Sequence, residues 1–353
     1  MSAAPHALHA PRLNNFDAVR LMAALLVIWG HQFALMGMPV PLILGNEPGA
    51  LGVIIFFALS GYLVSISWEA DAHAGRFALR RVLRIWPGLL AVVLLSVLVL
   101  GPLFTTLPLR DYLRTGGTWD YLSNLWLDTR YPLPGVFEHN PLPASVNGPL
   151  WTIQLEVGCY IALALAGSLG LLRWRFSAPL ALLALAAALQ WRYGSGRPVS
   201  TWSFGLQYGM MFAVGASLAS FRSAMLRWHG RSMALVLLAA LALHAWGPQP
   251  VAGQAPLLAL AAGAVILGSA ATPGLTGAAR HGDFSYGLYI YGFPMQQTVI
   301  ALGGGALGFP VALALSLMLA FAWAVFSWRL VERPALSFKP RKARPAAEAV
   351  LPF

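Results

Sequence analysis

Apolar runs of about 16 to 25 residues recur along the whole chain, broken by short polar or basic segments. A helix of that length spans the hydrocarbon of a bilayer and satisfies its backbone polar groups internally. Ten such runs are expected to form helices, at 17–37, 49–68, 86–104, 148–170, 178–193, 202–220, 232–247, 255–272, 284–302 and 307–331. The fold class that follows is an all-α polytopic membrane protein, a bundle of about ten transmembrane helices. Composition agrees. Of the 353 residues only 10% are charged and 58% are hydrophobic, whereas a soluble domain carries about 25% charged residues.

Charge placement sets the expected topology. With both termini cytoplasmic, only Arg110, Arg114, Arg130, Arg192 and Arg197 of the 23 Lys and Arg fall outside. That bias obeys the positive-inside rule, and an odd number of spans would spoil it. The net charge of +11 is thus mostly topology. A nucleic-acid partner is not expected, because the basic residues sit in alternate loops and form no single stripe. The first apolar run is full-length with no small-residue cleavage site, so it reads as a retained span rather than a signal peptide. The single cysteine, Cys159, excludes an internal disulfide and reads as a small buried hydrophobe.

The expected organisation is one membrane domain, 16–334, between polar tails at 1–15 and 335–353. Lys339, Arg341, Lys342 and Arg344 suit anionic lipid headgroups, or serve simply as a topology anchor. One loop, 105–147, is long and rich in proline and aromatics. Such loops are more often functional than mere connectors. Tyr112 to Leu127 has the pattern of an amphipathic helix lying on the membrane surface. Covering a site or contacting an extracytoplasmic acceptor are the two roles open to this loop.

Titratable groups inside spans are costly and mark function by default. His31 lies in the first run, eleven residues after Arg20, so the two share a helix face roughly 16 Å apart. Its ring exchanges a proton near neutral pH. Among twelve acidic residues, Glu156 alone falls well inside a run, and counting from the outer ends gives it a depth similar to His31. A carboxylate beside an imidazole would orient it and stabilise its protonated form; this reading is favoured over one in which Glu156 only holds helices together, because acids inside the membrane are costly. Asp17 and Arg20 are spaced to pair. In Phe56-Phe57-Ala58-Leu59-Ser60-Gly61, Ser60 offers a hydroxyl at depth, and Gly61 would let a backbone or a narrow ligand approach. Arg76, Arg80, Arg81 and Arg84 cluster before Ile85-Trp86-Pro87; guanidinium forks match phosphate, and positive-inside explains them equally. Tyr286, Tyr289 and Tyr291 precede Pro294, which is expected to kink the ninth helix. They read as an interfacial belt or, for Tyr286 and Tyr289, as ligand contacts. His73, His229, His244 and His281 fall at or near membrane edges and suggest nothing specific. No cluster has metal-ligand spacing, so no metal is expected. The chain has no Walker loop, HExxH or GxSxG.

Taken in order, these elements resemble the acyltransferase-3 family of membrane-bound O-acyltransferases, over about residues 14–335. The resemblance rests on Arg20-x10-His31, Phe56-Phe57-x-x-Ser60-Gly61, Arg81-x-x-Arg84 with Ile85-Trp86-Pro87, Trp151-Thr152-x-x-x-Glu156 and Ser285-Tyr286-x-x-Tyr289. Two departures stand out. Many members carry a histidine shortly before the proline of the ninth span, where this chain has Tyr291-Gly292-Phe293, and Thr152 replaces the commoner serine.

The resemblance implies transfer of an acyl group, usually acetyl, from acyl-CoA to a hydroxyl of a carbohydrate or glycolipid, in the bacterial cytoplasmic (inner) membrane. It assigns His31 as general base or acyl-carrying nucleophile, with Glu156 assisting. CoA phosphates would meet Arg81 and Arg84, with Arg20 lining the cavity, and the pantetheine arm would pass Ser60 and Gly61. Trp151, Tyr286 and Tyr289 would face substrate. Membrane lipid and the acceptor are the expected partners. A proton-coupled transporter or flippase built on His31, Glu156 and Arg20 is the alternative.

Overall fold

The computed structural model describes residues 14–340, apart from 197, 248, 250, 279, 281 and 304. Residues 1–13, Arg197, His281 and the tail residues Arg341, Lys342 and Arg344 therefore lie outside the described residues. Ten helices of 18 or more residues occur among those described, one on each expected run: α1 Phe16–Leu35, α2 Pro48–Ala70, α3 Ala74–Leu95, α4 Trp151–Ser168, α5 Ser177–Gly194, α6 Thr201–Ser220, α7 His229–Trp246, α8 Val251–Ser269, α9 Ser285–Gly303 and α10 Phe309–Ser327. Six of them, α1 to α4, α8 and α10, are long and apolar enough to cross a membrane by length and composition. No strand occurs among the described residues.

Two helices run longer than the hydropathy pattern suggests. α3 starts twelve residues before its apolar run, so the arginine cluster is helical and fixed in register. It continues through a π-helical segment, Ser96–Leu100, to Phe104. α10 likewise continues through a second π segment, Trp328–Glu332, into Arg333–Ser337. That extension carries Glu332 inside the protein at 2% exposure, so Glu156 is not the only acid within a helix.

α2 lies at the centre, against α1, α6 and α8. Its contacts use absent side chains, as membrane helix interfaces commonly do. A Cβ on Gly61 would fall 2.0 Å from the Phe212 carbonyl oxygen, and one on Gly215 would fall 1.9 Å from that of Ala58. Gly61 is therefore spent on the α2–α6 crossing and faces a backbone, not a ligand. α9 is buried almost throughout, yet is not among the six most apolar helices. The reason is that its polar side chains turn inward. Gln296 donates to Gln32 Oε1 and to the Ile28 carbonyl, both at 2.8 Å. The tyrosines also point in: Tyr289 and Tyr291 are buried, which overturns the interfacial-belt reading.

The 105–147 segment does not form one continuous helix over Tyr112–Leu127. Thr115, in an extended conformation, separates two short helices, Leu109–Arg114 and Gly116–Asp120, and a 3-10 turn, Tyr121–Trp126, follows. Tyr112 and Tyr121 are fully buried, with the Tyr112 hydroxyl donating to the Val97 carbonyl. Burial pushes that phenol up to about 12. The rest of the segment descends along α9. Asn140 Nδ2 bonds Gln297, Asn147 Nδ2 bonds the Ile290 carbonyl at 2.9 Å, and Tyr289 donates to the Pro149 carbonyl. Ile290 is the residue whose carbonyl Pro294 leaves without its helical partner, and Asn147 supplies the missing donor. Non-helical backbone at this depth is tolerated because it is enclosed by protein.

Candidate active site

Seven of the ten residues expected at the site line one cavity of about 100 Å³: Arg20, Ser60, Arg81, Arg84, Glu156, Tyr286 and Tyr289. His31, Gly61 and Trp151 are not on its wall. Trp151 packs edge-on against Phe204 and Tyr208. The cavity lies between α1, α2, α3, α4 and α9, and three clusters give it chemical character.

The first cluster is cationic and neutralised. Asp283, just before α9, places Oδ2 at 2.6 Å from Arg84 Nη2 and 3.5 Å from Arg20 Nη1. Arg20 also holds Asp17 at 3.1 Å. The other Asp283 oxygen accepts from Ser285, from its hydroxyl at 2.6 Å and its backbone N–H at 3.3 Å. Burial alone would raise the Asp283 carboxyl, but the two guanidinium groups and these hydrogen bonds outweigh it and hold the acid at about 2. Sequence spacing offered no reason to join Asp283 to Arg84, 199 positions away, so its role was missed.

The second cluster sorts the remaining arginines. Asp71, in the α2–α3 turn, binds Arg76 at 2.5 Å and Arg80 at 2.6 Å. Hydrogen bonds from Arg76 and Arg80 hold its carboxyl well below the usual carboxylate range. Those two arginines tie the turn together and do not reach the cavity wall. Arg81 does. Its guanidinium lies 5.7 Å from the Tyr160 ring centre and 5.8 Å from that of Phe77. Its Nε is buried with no hydrogen-bond partner among the described residues.

The third cluster centres on Glu156. Ser60 donates to Glu156 Oε1 at 3.1 Å, and Tyr160 donates to the same oxygen. Tyr160 lies one helical turn after Glu156 and carries no motif signal, so only its position on the same face of α4 pointed to it.

His31 makes no bond to Glu156. Its ring packs edge-on against Phe293 at 5.4 Å, and a Cβ built on Gly49 of α2 would stand 3.5 Å from Nε2. Counting inward from a helix end at the surface misplaced Glu156, because α4 begins inside the bundle. Thr152, its second residue, bonds Tyr289, one turn inward of Phe293, and Glu156 lies a further turn in. The two groups are thus roughly 12 Å apart in depth. Gly49 remains on the path: Val53 of the cavity wall follows it by one turn of α2. One face of α2 therefore leads from Ser60 through Phe56 and Val53 to the His31 ring.

Comparison with known proteins agrees with this geometry. A family model described as acyltransferase domain matches residues 13–329. An O-acetyl transferase of Shigella phage Sf6 is 29% identical over 333 residues, covering 92% of this chain and 96% of that protein. Nodulation protein 10 of Rhizobium leguminosarum bv. viciae is also 29% identical, covering 92% and 94%. No solved structure matches. A family match over almost the whole helical domain, with an O-acetyl transferase among the relatives, places this multi-pass membrane protein in the acyltransferase-3 family as an O-acyltransferase.

Proposed function

We propose that the protein moves an acyl group, acetyl by preference, from cytoplasmic acyl-CoA to a hydroxyl of a carbohydrate or glycolipid. All ten long helices cross the bacterial inner membrane in this reading, with both termini cytoplasmic. The observation that carries it is the continuity along α2. Guanidinium groups lie at one end of the cavity, and His31 lies one turn beyond the other. Acetyl as the donor group takes support from the relative named O-acetyl transferase.

The chemistry follows from that layout. Donor phosphates bind the arginine end, led by Arg81, whose charge has no carboxylate within ion-pair distance among the described residues. The pantetheine arm lies along Ser60 and Phe56. Glu156 holds Ser60 and Tyr160 in place on that path; direct assistance of His31 has no contact to support it. The thioester carbon reaches His31. The imidazole Nε2 takes the acceptor's hydroxyl proton as that oxygen attacks. The C–S bond breaks, and the CoA thiolate leaves and recovers the proton from the imidazolium. In this topology the 105–147 segment lies on the acceptor side.

The test is transfer of labelled acetyl from acetyl-CoA to a sugar acceptor by protein in nanodiscs. His31→Ala should lower transfer by about 10²- to 10⁴-fold, the usual contribution of a general base, with helicity and melting unchanged. Full activity in that variant would sink the mechanism.

A further inference from the structure

The arginine end of the cavity is already occupied by the protein's own anions. Asp283 Oδ2 lies between Arg20 and Arg84, where a phosphate oxygen shared by two guanidinium groups would sit. Asp17 adds a second carboxylate to Arg20. Two cations thus face two acids, and only Asp283 touches both cations. Its side chain is 17% exposed, so the arrangement is not a freely solvated surface pair. Ser285 holds the other oxygen, which aims the carboxylate instead of letting it swing.

A guanidinium pair without such a counter-ion would attract any small anion. With it, an incoming ligand must displace or share a carboxylate already in place. A single phosphate gains too little to do so, while a ligand with several linked phosphates gains more at each contact. Specificity built by penalising the wrong ligand is common in recognition sites. We propose that Asp283 is a specificity-determining counter-ion: it stands in for donor phosphate between Arg20 and Arg84, and so reserves the cavity for a multiply phosphorylated donor against small anions. The proposal rests on the reading that donor phosphates bind at these arginines.

The residue Asp283→Asn keeps the shape and the capacity to accept from Ser285, but removes the charge. Binding is measured on the full chain in nanodiscs with labelled CoA, with competition by inorganic phosphate, and with phosphate-free pantetheine as a second ligand. In the wild type, phosphate should compete weakly. In Asp283→Asn, CoA should bind more tightly and phosphate should compete at concentrations about tenfold lower, with pantetheine binding unchanged. Asp283→Glu should behave like the wild type. Phosphate competition unchanged or weaker in Asp283→Asn overturns the proposal. So does an equal change in pantetheine binding, which would mean a purely structural role, and so does a variant that no longer folds while Asp283→Glu does. Equal binding of CoA and pantetheine by the wild type is a separate result: it removes the donor-phosphate reading itself, whatever Asp283 does to inorganic phosphate.

Discussion

Arg81 and Arg80 are neighbours in the chain with opposite fates. Successive helical residues point about 100° apart, so one faces the cavity and the other faces Asp71. Arg81→Gln should therefore weaken CoA binding about tenfold, about 1.4 kcal/mol. Arg80→Gln should leave it within a factor of two, because that guanidinium is already committed. Equilibrium binding of labelled CoA to the two variants distinguishes them, and equal effects would reduce the whole cluster to topology. Glu156 teaches the same lesson. Its chemistry was legible as an acid within a span, and Tyr160 sits one turn along the same helix, but its other partner, Ser60, comes from the tertiary fold.

Among the elements, the segment leading into α4 has the largest consequence. Its prolines and lack of periodicity marked it as a loop, and nothing in that pattern told a surface loop from one that descends into the bundle. The descent is fixed by side-chain amides on both partners, Asn140 with Gln297 and Asn147 with the Ile290 carbonyl. Removing the Asn147 donor leaves a buried carbonyl without a partner, in a helix where Pro294 has already taken one away. Asn147→Ala should cost about 1–3 kcal/mol, the penalty for such a group. Thermal unfolding in detergent reads it, and Asn147→Leu should fail to restore stability, because an apolar side chain of similar size cannot donate. The depth at which α4 begins also sets the position of Glu156 and explains why it meets Ser60 rather than His31.

At the scale of the whole molecule, the proposed function requires donor and acceptor to approach from opposite faces. If ten helices cross with both termini cytoplasmic, the 105–147 segment is extracytoplasmic. In a Cys159→Ser background, Asp128→Cys should react with an impermeant maleimide on intact cells, since Asp128 is well exposed. Arg227→Cys, after α6, should react only after lysis. The reverse pattern would invert the donor and acceptor sides. Much of this molecule was readable from local order alone. Apolar runs of bilayer length force helices, because backbone groups in lipid have no other partners, and all ten long helices fall on those runs. The residue types able to bind phosphate or move a proton were equally plain. What the tertiary structure decided was pairing. Ser60 meets Glu156 across 96 residues, and Arg84 meets Asp283 across 199. Periodicity gives the face and height of a side chain on its own helix. It carries no information on where another helix begins in the bundle, and that offset determines which acid meets which base.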